Sequence, residues 1–165
     1  MKVHVKGRWE VWCHNPDGSL AWKDSFPNGL TNVGLNDILD VYFAAGTQKT
    51  NWYIFPIDNS GFSALAAGDT MSSHSGWTES TAYSESTRPA WAPGAAASLS
   101  MTNSTLRALT INASATLYGL GLVSNSTKGG TTGTLAATGA FTAPQVMVSG
   151  QVLSAQYTIT LEATN

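Results

Sequence analysis

Strict alternation of apolar and polar side chains near both ends of the chain is the feature that most limits its fold. Between Lys2 and Cys13, the residues Val3, Val5, Gly7, Trp9, Val11 and Cys13 fall on one side, and Lys2, His4, Lys6, Arg8 and Glu10 on the other. Between Gln151 and Glu162, Leu153, Ala155, Tyr157, Ile159 and Leu161 alternate with Ser154, Gln156, Thr158, Thr160 and Glu162. A period of two places one face of an extended strand in a core and the other in water, whereas a helix would scatter the same residues around its axis. Both segments are therefore predicted to be half-buried strands.

The interior of the sequence extends this pattern. Asn15-Pro16-Asp17-Gly18 is a turn, with proline to set φ and glycine to accept a positive φ. Leu20, Trp22 and Phe26 resume the apolar spacing, so residues 2–26 read as a hairpin, broken at Pro27-Asn28-Gly29. Asn32 is placed to cap a helix over about residues 33–45. In it Leu35, Ile38, Leu39, Tyr42 and Phe43 form one stripe, and Gly46 ends it. This spacing predicts a surface helix with its apolar side on a sheet.

Asn51–Asp58 is rich in strand formers, and Pro56 argues for an edge or a bend. Residues 59–97 are long and mostly polar, yet hold Phe62, Met71, Trp77, Tyr83 and Trp91. A disordered linker has no need of such groups, so the stretch reads as an ordered excursion pinned to the body, with a short helical turn near Asp69–Ser73. Thr105–Asn112 and Ala115–Val123 read as central strands, Ser124–Gly133 as a turn-rich loop and Thr134–Phe141 as a short strand. About eight strands separated by turn signals predict a mostly-β fold, a two-sheet antiparallel sandwich that is jelly-roll-like, built as one domain over residues 1–165.

Charge then narrows the function. Charged residues make up 11% of the chain, against about 25% in an average soluble domain. From Pro89 onward they number three, Arg107, Lys128 and Glu162. A surface of Ser, Thr, Asn, Gly and Ala stays hydrated but repels its neighbours weakly, which suits a protein packed against partners or copies of itself. A net charge of −2 offers no footprint for nucleic acid. No apolar run reaches the roughly 18 residues of a membrane span. The start, MKVHVKGRWEVW, is interrupted by charges as an export signal is not. The lone Cys13 rules out an internal disulfide framework and is expected to be a buried free thiol in a reducing cytoplasm.

Residues with chemical potential are sparse. His4, His14 and His74 are scattered, and the nearest approach to a metal set is His74 with Asp69 and Glu79. Gly129–Gly133 is glycine-rich but lacks the Gly-Lys-Ser/Thr order of a phosphate loop, and no Gly-x-Ser-x-Gly elbow occurs. Neither an enzyme nor a cofactor or metal protein is expected. Six tryptophans offer a different possibility, a carbohydrate-binding surface, with Trp52, Trp77 and Trp91 as the least committed of them.

The stretches TNVGLNDILDVYF, WYIFPID and DTMSSHSGWTESTAYSESTRPAW, followed by NSTKGGTTGTL and the closing alternating strand, resemble small virion structural proteins of tailed bacteriophages. The resemblance covers roughly residues 30–160 and implies a head decoration or cement protein on the capsid exterior, assembled in the host cytoplasm and bound to the major capsid protein. In such a role Asp69–Trp91 is expected to carry the main contact, with Trp77, Tyr83, Arg88 and Trp91 as anchors, because aromatic and Arg side chains dominate interface energetics. The basic row Lys2, His4, Lys6 and Arg8 reads first as a solvated strand face, with a docking stripe for an acidic partner through Lys6 and Arg8 as the other reading. Self-association as a dimer or trimer is expected through the weakly charged C-terminal half. A tail, fibre or glycan-binding module is the alternative.

Overall fold

The computed structural model describes residues 2–164. The two alternating segments pair with each other. Strand β1 (Lys2–His14) runs antiparallel to β10 (Val152–Thr164) along its whole length, with Trp9 opposite Tyr157 and Cys13 opposite Leu153. Register decides the outcome, because one residue of slip would turn every apolar side chain to water. Trp9, Val11, Cys13, Leu153, Ala155 and Tyr157 consequently share one buried face.

After the Asn15–Gly18 turn, β2 (Leu20–Leu30) returns along β1. Pro27-Asn28-Gly29 does not break it, contrary to the sequence reading. Pro27 lies opposite Arg8, and the strand then changes partner, with Gly29 and Leu30 pairing Thr138 and Ala137 of β9 (Leu135–Met147). β9 pairs β8 (Ala115–Val123), which pairs β3 (Trp52–Asp58). Short strands fill the edges: β4 (Thr78–Glu79) and β5 (Ala90–Trp91) on β3, and β6 (Ser100–Thr102) and β7 (Arg107–Thr110) on β10. The protein is thus mostly β, with ten strands among the described residues in one curled antiparallel sheet, a half-barrel: eight follow the path β4-β3-β8-β9-β2-β1-β10-β6, and β5 and β7 lie off it. Thr105–Asn112, read as central, contributes an edge strand four residues long. The Thr134–Phe141 strand is longer than its sequence suggests, because a bulge after Ala140 lets β9 continue to Met147.

The curl brings the ends of this path together around one core. Ile54 of β3 and Leu117, Leu120 and Leu122 of β8 pack with Trp9 and Val11 of β1 and Tyr157 of β10. Trp91 of β5 spans the gap: its Nε1 donates to Asn103 Oδ1 and to the Tyr157 carbonyl, each at 3.0 Å. A second cluster lies on the other face of β3, β8 and β9, where Phe55, Ile57, Val123 and Leu135 meet Met71 and Trp77 from residues 59–97. The excursion therefore covers the outside of half the sheet. Where a helical turn is predicted near residues 69–73, a tight turn occurs instead, closed by reciprocal Thr70–Ser73 backbone hydrogen bonds.

Helix α1 (Asn32–Phe43) occupies the predicted span, but Thr31 caps it, accepting from the Gly34 N–H at 3.1 Å. Thr31 outcompetes Asn32 because its hydroxyl also donates to the Leu135 carbonyl, tying the cap to β9. At the other end Ala45 takes the left-handed conformation (φ 55°), and the Gly46 N–H reaches back to Asp40 O at 2.8 Å. Gly34 is the one fully buried residue of the helix. A Cβ there would stand 2.6 Å from Ala136 O, so glycine is what lets the helix lie on the strand. Seated this way, α1 turns Val33, Gly34, Asp37 and Val41 inward and leaves Ile38, Leu39, Tyr42 and Phe43 in solvent. The apolar stripe expected on the sheet faces out.

Candidate interaction surface

The four anchors expected from the sequence are buried by the protein's own fold. Trp77 is 2% exposed, stacked on Phe55 and His74, with its Nε1 donating to Asp69 Oδ2 at 2.9 Å. Tyr83 and Arg88 are fully enclosed, and Trp91 bridges the core. Arg88 donates to both Glu79 oxygens, and also to the Asn125 carbonyl at 2.8 Å and the Gly130 carbonyl at 2.7 Å. Glu79 in turn accepts from Tyr83 Oη and from the Gly129 N–H. Burial, followed by the neighbouring Glu79 carboxylate, pushes the Tyr83 phenol far above its ordinary range. The network fastens the 124–133 loop to the excursion. These side chains hold the molecule together and present nothing to a partner, because the aromatic and Arg groups that make good interface anchors also make good internal ones.

The same geometry occupies the residues nearest to a metal set. Asp69 accepts from Trp77 and from the Ala66 N–H, Glu79 pairs with Arg88, and His74 meets the Thr70 carbonyl at 3.0 Å. Burial holds the His74 pKa below its ordinary value, opposed in part by Asp69. Among the described residues no three His, Cys, Asp or Glu side chains cluster as a metal site would require.

What the structure does leave open is apolar. Tyr42 and Phe43 are 80% and 77% exposed, their rings edge to face with centroids 4.9 Å apart. Beside the helix the inner faces of β1 and β10 run past the core. Gly7 pairs Ile159 and Val5 pairs Leu161, but toward this end the opposite layer no longer covers them, and Val3 and Leu161 are exposed. Val5, Ile38, Leu99, Met101, Ile159 and Leu161 line a groove of about 460 Å³ here. Leu99 sits at the tip of a two-residue turn between Ala97 and Ser100, which exchange backbone hydrogen bonds of 2.9 Å. Ser98 and Leu99 both take positive φ (51° and 60°), the type I′ form that ordinarily selects Asn and Gly.

An adjoining concavity of about 820 Å³ includes Val3, Leu35, Lys6 and Arg8. Lys6 and Arg8 are exposed on β1, as the alternation predicts, and Lys6 bridges to Glu162 on β10. The apolar surface thus combines the helical stripe, which is visible in the sequence, with strand ends read as core. The sequence signal for which way the stripe faces is Gly34 within the helical segment, a residue that marks close backbone approach on the side away from the stripe.

No protein-family model matches the chain, and no curated protein matches it in sequence.

Proposed function

We propose that this protein is a decoration or cement protein of a tailed-bacteriophage head, which binds the lattice of major capsid protein non-covalently on the capsid exterior and stabilises the shell. The observation that carries the reading is the uncovered apolar surface of α1, β1, β10 and the Leu99 turn on a body otherwise sparse in charge. A contiguous apolar surface on such a body is one that protein comes to cover. The resemblance over residues 30–160 supplies the kind of assembly. In this reading the curled sheet acts as a two-layer, jelly-roll-like sandwich, whose layers are the β1-β2-β10 and β3-β8-β9 halves held by the Trp91 bridge.

Lys6 and Arg8, exposed in a row on β1, are assigned to the shell contact. Each such contact is weak alone, and repetition over the lattice supplies avidity. The glycan-binding alternative has less support, because Trp9, Trp77 and Trp91 are buried and Trp12, Trp22 and Trp52 are partly so, leaving no broad tryptophan platform. The assignment is tested by incubating the chain with mature shells that lack it and measuring the bound fraction after sedimentation. Lys6→Glu/Arg8→Glu is expected to weaken binding and to make it insensitive to salt. Undiminished binding by that variant would remove the basic row from the contact, and failure of the unaltered chain to bind would turn attention to tails and glycans.

A further inference from the structure

The surface made by α1 and the open end of the half-barrel carries both parts of a joint. Tyr42 and Phe43 project from it as a pair of rings, and the groove walled by Ile38, Leu99 and Leu161 lies on the same side of the molecule. We propose that a second copy of this chain covers this surface, the Tyr42–Phe43 knob of each copy packing against the groove of another. The assembly reading above gives the pairing its purpose, but the test uses the isolated chain.

Shape, area, charge and backbone strain argue for a second copy. A knob and a groove on one surface complement a copy of that surface, as closed symmetric contacts require. An aromatic side chain offers roughly 150–250 Å², so two rings as exposed as these leave on the order of 300 Å² uncovered. Ile38, Leu39, Leu99, Val3 and Leu161 add to this, bringing the apolar area toward the ~800 Å² per partner of a standard interface. Charge does not oppose the contact. On the helix Asp37 is already paired with Lys49 at 2.9 Å, and in the adjoining concavity Lys6 and Glu162 pair with each other, leaving Arg8 opposite in sign to Asp40. Finally, a leucine at positive φ is strained, and strain of this kind persists where a contact outside the turn uses the side chain.

Sedimentation equilibrium of the isolated full chain, from low to high micromolar concentration, tests the pairing. The expected result is a dimer or small closed ring. Tyr42→Ser/Phe43→Ser should shift it to monomer with an unchanged circular dichroism spectrum. Leu99→Gly should weaken association by about tenfold or more, while the monomer melts at the same or a higher temperature because the turn is relieved of strain. A chain that is monomeric throughout, or an oligomer that survives both substitutions, overturns the proposal. Monomers that still bind shells would leave the decoration reading standing without the pairing, and oligomers that ignore shells would do the reverse.

Discussion

Arg88 is enclosed, each of its guanidinium nitrogens has a partner, and its charge is neutralised by Glu79. Truncating one member of a buried pair strands the other charge, a loss of about 3–5 kcal/mol. Arg88→Ala is therefore expected to lower unfolding free energy by that order in urea titrations. Arg88→Met/Glu79→Gln should lose less, because no charge is stranded: the amide oxygen can still accept from the Gly129 N–H, and the amide NH2 can donate to Tyr83 Oη. Equal losses in the two variants would show that the ion pair is not what matters. Cys13 makes a second residue-scale case: burial alone pushes its thiol up to about 11. At pH 8 a disulfide reagent should label it no faster than the protein unfolds, and rapid labelling of the native state would contradict its placement. These two residues mark the reach of sequence reading at this scale. Alternation was enough to place Cys13 in the core. For Trp77, Tyr83, Arg88 and Trp91 it was not, because composition identifies strong anchors and leaves open whether they grip a partner or the chain's own sheet.

Among the elements, α1 is held by a backbone contact. Gly34→Ala should raise intrinsic helix propensity by about 1 kcal/mol, yet its Cβ would meet the Ala136 backbone. The expected net effect is destabilisation, read as a lower melting temperature, with helix content retained. A higher melting temperature would mean that the helix is not seated on β9. The excursion has its own sensitivity, through His74 stacked on Trp77 at 3.8 Å. Because burial lowers the His74 pKa in the folded state, the unfolded chain takes up the proton first as pH falls. Its contribution is thus intact above the ordinary value near 6.5, and is lost as pH drops below it. His74→Gln should flatten the fall in melting temperature between neutral and mildly acidic pH, and an unchanged slope would assign that fall to other groups. Element identity was legible here from periodicity: both terminal strands, the hairpin and the helical span all lie where their spacing puts them. Orientation was not. The stripe of α1 faces solvent because a single glycine opposite it sets the distance to the sheet, and a hydrophobic pattern says that a face is apolar without saying what covers it.

For the whole molecule, the excursion and the curl divide the work. Residues 59–97 close the outside of the β3-β8-β9 half through Met71 and Trp77, while the β1-β10 half ends in an open apolar groove. Strand order was beyond the sequence, because the break in pattern at Pro27-Asn28-Gly29 marks where β2 changes partners but not which strand it turns to. The account therefore rests on a body that leaves an apolar surface open at the α1 end, proposed to be covered by a second copy, and on shell binding as the use of the assembly. The most direct measurement is the number of chains bound per shell at saturation, together with the heat resistance of the decorated particle. Saturation at a multiple set by lattice symmetry, with the shell surviving higher temperature than the bare one, is the predicted result. Binding of a handful of copies, or full occupancy with no gain in heat resistance, would contradict a cementing role.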